Sequence, residues 1–276
     1  MIKGIDISEH NGVIDFAKVK NAGYKFVIIR LGWIGNKNNH TLDKYFKDNY
    51  FNAKFAGLKI GLYVYSYVET STAMENAISW VKENISGLSL DYPIFLDLED
   101  KQLNNISKDN LTSLAKQFCN SFENSGVYAN KNWFTNKLNV QDLLNYKIWL
   151  AEYNNKNNYT VNFKVDMWQY TSSGKVDGIK GNVDLNNCYN CKDNNEVNIN
   201  EMEGFEVKSW KNGTRNETVY SDLACTKSIG VIYPGEYADC YGIIDGKYLL
   251  VYYITDKNGN VTGRKVGFVK YAGGVT

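Results

Sequence analysis

Residues 4–32 read GIDISEHNGVIDFAKVKNAGYKFVIIRLG, and this stretch decides the fold. An apolar run of strand length lies at each end of it, Lys3–Ile7 and Phe26–Leu31, with a helical pattern between them. A strand, a helix and a second strand in this order predict a parallel pair of strands joined by a right-handed crossover.

The same alternation continues along the chain. Because strands that alternate with helices pair in parallel, this number of units predicts an α/β fold with a closed or nearly closed β/α barrel. The further predicted strands are Lys59–Tyr65, Ile94–Leu98, Gly126–Ala129, Ile148–Ala151 and Val165–Tyr170.

Three helices are indicated by apolar residues on one face. The first runs from Leu42 to Ala56 and stops at Gly57, and the second begins with Thr72 and Glu75 at the spacing of a capping box. The third has its apolar residues at helical spacing, i, i+3, i+4, i+7, i+8 and i+11. These are Leu111, Leu114, Ala115, Phe118, Cys119 and Phe122.

A polar run, KDNNEVNINEME at 192–203, predicts a linker between a domain at 1–191 and a domain at 204–276. Beyond it the helical pattern gives way to short apolar runs. The dipeptides Asp245-Gly246 and Asn258-Gly259 between them are strong hairpin signals. The second domain is therefore predicted to be a small all-β barrel.

Composition excludes several classes of function. The chain has 31 Lys and Arg against 30 Asp and Glu, a net charge of +1, so it has no excess charge with which to neutralise nucleic-acid phosphates. Its apolar runs are far shorter than the about 20 residues that a membrane span requires. With only 2 His, His10 and His40, a three-histidine zinc site cannot be built. We expect the five Cys to be free thiols.

Acidic residues recur where the predicted strands end, which is where the catalytic groups of β/α barrels lie. Asp6 closes the first strand, Asp97 and Glu99 follow one another in IFLDLED, and Asp184 lies near the end of the barrel segment. Side chains alternate along a strand, so Asp97 and Glu99 are predicted to share a face. Two such close carboxyl groups do not ionise independently, and one is expected to act as a proton donor near neutral pH.

This pattern leaves alternatives open. Acids at strand ends also meet solvent or bind Mg²⁺ or Ca²⁺. Glycoside hydrolysis uses one acid and one charged partner, and the aromatic content favours a sugar substrate, although core packing explains many of the same rings. The candidate sugar-binding residues are Tyr63, Tyr65, Tyr128, Trp149, Gln169 and Tyr170.

Four separated motifs resemble glycoside hydrolase family 25, the family of phage and bacterial lysozymes. They are the opening stretch, IFLDLED at 94–100, WLAEY at 149–153 and WQYTSSGKVDGIKGNVDLN at 168–186, in matching order. The resemblance implies an irregular, TIM-like β/α barrel and an N-acetylmuramidase that cleaves the β-1,4 bond between N-acetylmuramic acid and N-acetylglucosamine, without metal or cofactor.

The resemblance also implies roles for the four acids. Glu99 matches the general acid, and Asp97 matches its partner, either as nucleophile or as the group that orients the acetamido oxygen of the substrate. Asp6 and Asp184 match two further carboxylates at the floor of the site.

The N-terminus carries no signal peptide pattern. For a phage endolysin we therefore expect synthesis in the host cytoplasm and release to the peptidoglycan by another factor.

The second domain resembles bacterial Src-homology-3-like domains through 230–253 and 265–274. This implies binding of a cell-wall ligand, with packing or self-association as the alternative. For the whole chain, a non-catalytic wall-binding protein and a peptidoglycan amidase remain as competing hypotheses.

Overall fold

The computed structural model describes residues 1–86, 88–190, 208–213, 215–220, 225–244, 247–255 and 261–270. The chain divides into two compact units, Met1–Val197 and Asn198–Thr276. The predicted linker at 192–203 lies outside the described residues. No described helix is both long and apolar enough to cross a membrane.

The first unit is built on one closed sheet. Eight strands pair around it in the order β1-β9-β8-β7-β6-β5-β4-β2, and β2 pairs with β1 to close the barrel, while β3 lies outside against β2. The predicted irregular β/α barrel is thereby confirmed. The strands are β1 (Ile2–Ile7), β2 (Phe26–Ile34), β3 (Thr41–Leu42), β4 (Lys59–Ser66), β5 (Ile94–Asp97), β6 (Ser125–Asn130), β7 (Lys147–Ala151), β8 (Met167–Gly174) and β9 (Val183–Cys188).

The direction of β9 makes the barrel irregular. All other barrel strands run parallel, but β9 is antiparallel to both β1 and β8. This strand was not predicted. The connection between β8 and β9 is too short for the dozen or more residues of a parallel crossover, so the chain returns as a hairpin.

Helices connect the parallel strands, and local capping decides where they begin. The apolar face of α4 is confirmed from Leu111 to Cys119, whereas Phe122, predicted as its last residue, lies beyond the end of the helix and is only half-buried. The predicted capping box of α3 is wrong: Thr70, with an extended backbone at φ −131 and ψ 154, accepts the N–H of Ala73 two residues earlier than expected. The helices are α1 (Phe16–Asn21), α2 (Phe46–Phe55), α3 (Ser71–Ile85), α4 (Lys108–Cys119) and α5 (Lys131–Asn136).

The helix predicted from Leu42 is α2, which begins only at Phe46. Thr41 and Leu42 are not helical, because they form the short strand β3, which pairs with Trp33 and Gly32 of β2. The expectation of free cysteines is wrong for Cys188, which is disulfide-bonded, whereas Cys119 is free and buried.

Large aromatic residues fill the barrel interior. Phe26 stacks on Tyr92 with ring centroids 4.6 Å apart, and Phe95 packs against Trp149 at 5.1 Å. A Cβ on Gly4 would lie 2.3 Å from the Phe26 ring, so only glycine fits beside it. The barrel is therefore a packed core and not a pore, and polar groups collect at its ends.

The second unit is an antiparallel sheet in the order β10-β13-β14-β15-β11-β12, which confirms the all-β prediction. Ile244 pairs with Lys247 on either side of the predicted Asp-Gly turn. The strands are β10 (Lys208–Lys211), β11 (Glu217–Tyr220), β12 (Ser228–Ile232), β13 (Tyr237–Ile244), β14 (Lys247–Thr255) and β15 (Val261–Lys270).

Gly126 provides a test of barrel closure. A Cβ at this position would lie 2.2 Å from the carbonyl oxygen of Lys147 on the neighbouring strand, so Gly126→Ala must push β6 away from β7. We expect a loss of about 1–3 kcal/mol in the free energy of unfolding, measured by urea denaturation. Gly213→Ala, where a Cβ meets nothing within 4 Å, is the control. Equal stability of the two variants would contradict the packing described here.

Candidate active site

The four predicted acids lie at one end of the barrel. Asp6 is near the end of β1, Asp97 is the last residue of β5 and Glu99 follows two residues later. Asp184 lies at the start of β9, and because β9 is antiparallel its start meets the ends of the other strands. The irregular strand therefore supplies the fourth acid.

Asp6 and Asp184 form a carboxyl pair. They are register partners on β1 and β9, and a hydrogen bond joins their side chains, which requires that one of them keeps its proton. Asp6 Oδ2 also accepts from Gln169 Nε2 at 2.9 Å and from Asn186 Nδ2 at 2.7 Å. Burial and the charge of Asp184 raise the pKa of Asp6 well above its ordinary value, so we place the shared proton on Asp6.

Asp97 is buried without full hydrogen bonding. Its side chain is 3% exposed, and Oδ1 has no hydrogen-bond partner among the described residues. Burial, followed by the charges of Glu99 and Asp6, raises the pKa of Asp97, and the Arg30 guanidinium opposes that rise. Buried acceptor oxygens normally have a hydrogen-bond partner, so the environment of Asp97 disfavours its charged form.

Glu99 is exposed and faces a cleft. The cleft is open to solvent, and Tyr128, Lys131 and Tyr153 line it with Glu99. Although the side chain is exposed, the cleft walls remove part of its hydration. This desolvation, together with the charges of Asp184 and Asp100, raises the pKa of Glu99. Glu99 therefore combines access to a ligand with a tendency to hold its proton.

A second glutamate in the same cleft behaves in the opposite way. Glu152 accepts hydrogen bonds from Lys131 Nζ at 3.0 Å, from the Thr160 backbone at 2.8 Å and from the Thr160 hydroxyl. Burial opposes ionisation, but these donors outweigh it and lower the pKa of Glu152 to about 2. The two environments therefore favour ionisation of Glu152 and retention of the proton by Glu99.

Arg30 is a component that the sequence reasoning missed. Its Nε donates to Asp43 Oδ2 at 2.8 Å and its Nη2 donates to Glu9 Oε1 at 3.0 Å. The Asp43 side chain is fully buried. An arginine inside the apolar run FVIIRLG was the signal that could have identified it, because a charge in a buried strand needs partners.

The predicted aromatic residues divide between the site and the core. Tyr65 donates its hydroxyl to Asp100 at 3.0 Å, and Tyr128 donates to Gln169 at 2.9 Å, so both reach the mouth of the barrel. Tyr63 lies half-buried against the edge of Trp149, with ring centroids 6.0 Å apart. Trp149 is buried in the core and donates Nε1 to Asn186 at 2.8 Å.

Two further candidates lie next to each other on β8 and point to opposite faces of it. Gln169 is 1% exposed and points into the barrel. Tyr170, the next residue on β8, points to the other face, where its ring packs on Trp168 at 5.6 Å. Tyr153, which was not among the candidates, lies in the cleft and donates to Gln169 at 2.6 Å.

Comparison with known proteins identifies the family to which this barrel belongs. The signature of glycosyl hydrolases family 25 matches residues 5–179, most of the chain. The chain belongs to glycosyl hydrolases family 25. An autolytic lysozyme of Clostridium acetobutylicum is 35% identical over 191 residues, which cover 67% of this chain and 55% of that protein.

Solved structures with the family 25 barrel agree. The modular autolysin LytC of Streptococcus pneumoniae, solved in complex with a synthetic peptidoglycan ligand, superposes with a TM-score of 0.60 at 30% identity, over 68% of this chain and 46% of that one. The CTP1L endolysin gives a TM-score of 0.56 at 28% identity, over 69% and 67%. The chain thus spans about half the length of the first two of these relatives.

The buried charge of Asp97 predicts a dependence of stability on pH. Its pKa is raised in the folded protein, so the folded state binds this proton more tightly than the unfolded chain does, and stability falls as pH rises from about 4 through the folded pKa. We expect Asp97→Asn to raise the free energy of unfolding by about 1–3 kcal/mol at pH 7, with the gain vanishing below pH 4.

Denaturant unfolding of both proteins from pH 3 to pH 8 checks this expectation. Asp142→Asn, at an exposed carboxyl, is the matched control and should follow the wild type at every pH. A loss of stability in Asp97→Asn at pH 7 would show that the burial of Asp97 does not disfavour its charge.

Proposed function

We propose that this family 25 chain hydrolyses peptidoglycan as an N-acetylmuramidase, cleaving the β-1,4 bond between N-acetylmuramic acid and N-acetylglucosamine. The names of its relatives, an autolytic lysozyme and an autolysin bound to a peptidoglycan ligand, support this substrate class. The observation that carries the proposal is the contrast within one site between an exposed Glu99 of raised pKa and a buried Asp97 with an unpaired oxygen.

Glu99 acts as the general acid. Its carboxyl group faces the cleft and holds its proton, so it protonates the glycosidic oxygen as the bond to the leaving sugar breaks. Positive charge then develops at the anomeric carbon of the other sugar. The surrounding carboxylates stabilise this oxocarbenium-like state electrostatically.

Asp97 stabilises the positive charge that develops at the anomeric carbon. Two roles remain for Asp97, nucleophile or orienting group; both require contact with the sugar, so its 3% exposure favours neither. In the orienting role, the unpaired Oδ1 would accept the N–H of the substrate acetamido group. The acetamido oxygen then attacks the anomeric carbon, and the leaving sugar departs with the proton of Glu99. Water opens the resulting oxazolinium at the anomeric carbon and gives its proton to the Glu99 carboxylate, which restores the acid and leaves a free reducing end.

The amidase hypothesis has no support from the described residues. His40 Nδ1 accepts a backbone N–H from Gly35, and the His40 ring lies 5.5 Å from Trp80, so it is engaged in local structure. Cys119 is buried, and burial raises its pKa to about 12, which is unsuitable for a thiolate nucleophile.

For the second unit we propose a Src-homology-3-like role in binding a cell-wall ligand, within an endolysin. Its antiparallel sheet is compatible with that role, and a match to an endolysin supports the setting. Self-association, a phage origin and release from the host cytoplasm stay predictions.

Glu99→Gln tests the general acid. The amide keeps the shape of the side chain but cannot donate a proton to the leaving oxygen, so we expect turnover of purified peptidoglycan to fall by about 10²–10⁴-fold. Mass spectrometry of the wild-type digest should show N-acetylmuramic acid at the new reducing ends. Glu75→Gln, at an exposed carboxyl of α3, should retain full activity. Free amino termini in the digest would instead identify an amidase or peptidase.

The net charge of +1 predicts how wall binding responds to salt. Because the chain has no large net attraction to an anionic wall, affinity should rest on aromatic and hydrogen-bonding contacts, which salt screens little. Sedimentation of the inactive Glu99→Gln protein with purified walls should vary by less than about twofold between low and physiological ionic strength. Loss of most binding across this range would refute the expectation.

A further inference from the structure

Gln169 on β8 joins two parts of the site. Its Oε1 accepts hydrogen bonds from the hydroxyls of Tyr128 at 2.9 Å and Tyr153 at 2.6 Å. Its Nε2 faces the carboxyl pair, at 2.9 Å from Asp6 Oδ2 and 3.5 Å from Asp184 Oδ2. One amide therefore connects an aromatic wall of the cleft to the floor of the site.

The direction of this amide is fixed by its neighbours. The shared proton of the pair is used in the hydrogen bond between Asp6 and Asp184, so the oxygens that face Gln169 accept hydrogen bonds; the NH₂ end therefore faces the acids and the oxygen faces the tyrosyl hydroxyls. Asn186 is fixed in the same way, because Trp149 Nε1 can only donate to its oxygen, and its NH₂ group then turns to Asp6 at 2.7 Å. The two amides form one buried network with a single orientation.

Gln169 has no hydrogen-bonding capacity left for a sugar. It is 1% exposed, and four protein groups occupy its donors and acceptor. Tyr153, in contrast, is 54% exposed and lies in the cleft beside Glu99. Gln169 can therefore affect a substrate only indirectly, through the tyrosine and aspartate side chains to which it is hydrogen-bonded.

We propose that Gln169 is a positioning residue for the hydrolysis, which holds the Tyr153 ring against the cleft and stabilises the charge of the Asp6–Asp184 pair beneath Glu99. The inference rests on the proposed function of the site. It differs from a role in sugar binding, since no atom of Gln169 needs to touch the substrate.

The electrostatic part follows from the groups that face Gln169. These are Asp6 from β1, Asp184 from β9, Tyr128 from β6 and Tyr153 after β7. With the shared proton on Asp6, the charge of the pair lies on Asp184, which Gln169 Nε2 approaches to 3.5 Å and whose charge raises the pKa of Glu99. Without this donor the charge on Asp184 is less well stabilised, so Asp184 takes up a proton at higher pH and Glu99 should release its own proton at lower pH.

Gln169→Leu removes both ends of the amide at similar volume. We expect kcat on peptidoglycan fragments to fall by about 10–100-fold, as misplaced reacting groups do, and the alkaline limb of kcat/KM to move to lower pH. Gln169→Glu should recover activity at low pH, where a protonated carboxyl can donate to Asp6, and should lose it relative to wild type as pH rises.

Ser125→Ala is the matched structural control. This buried residue on β6 hydrogen-bonds to the carbonyl oxygen of Cys119 at 2.7 Å and is not part of the network, so its loss should lower stability without moving the pH profile. A Gln169→Leu enzyme with wild-type kcat and an unmoved profile would overturn the proposal. An increase in KM alone would also overturn it, in favour of direct sugar contact.

Carboxyl titration by ¹³C NMR separates this inference from the proposed function. In Gln169→Leu we expect Glu99 to titrate at lower pH than in the wild type, whether or not the protein is active. An unchanged titration overturns the electrostatic part. A wild-type chain that releases no sugar reducing ends from peptidoglycan refutes the proposed function, while the titration still decides what Gln169 does.

Discussion

A hydrogen bond between two carboxyl groups exists only while one of them keeps its proton, and the end of this barrel is arranged around that requirement. Asp6 and Asp184 meet across β1 and β9, and the amide groups of Gln169 and Asn186 provide the donors that make the pair tolerable in a buried place. Lost hydration and the negative charge that remains on the pair together raise the pKa of Glu99, a glutamate that is exposed to the cleft.

Packing of the aromatic core holds the side chains of this network in place. Trp149 packs between Phe95 and Tyr128, and its indole N–H fixes the direction of Asn186. Arg30 provides countercharge: Asp43 and Glu9 hold its guanidinium by hydrogen bonds, and its positive charge opposes the rise in the pKa of Asp97. Buried acids of raised pKa disfavour the folded state at neutral pH, which is the usual relation between stability and function in an active site.

Membership of glycosyl hydrolases family 25 accounts for the barrel and for the presence of the acids. The individual environments account for the division of their roles. Glu152 and Glu99 line the same cleft, yet three hydrogen bonds keep the first ionised, whereas the second has nearby negative charge and lost hydration. Two glutamate side chains in one cleft therefore differ in pKa because their neighbours differ.

The sequence by itself determined the alternation of strands and helices, the all-β second unit and the four acids at strand ends, because hydrophobic period and turn dipeptides are local signals. The tertiary structure alone decided the reversal of β9, the start of α2 after Leu42 joined a strand, and the burial of Gln169 and Trp149. It also decided which acid is exposed. These outcomes depend on residues far apart in the chain, such as Asp6 and Asp184, whose separation is fixed only when the barrel closes.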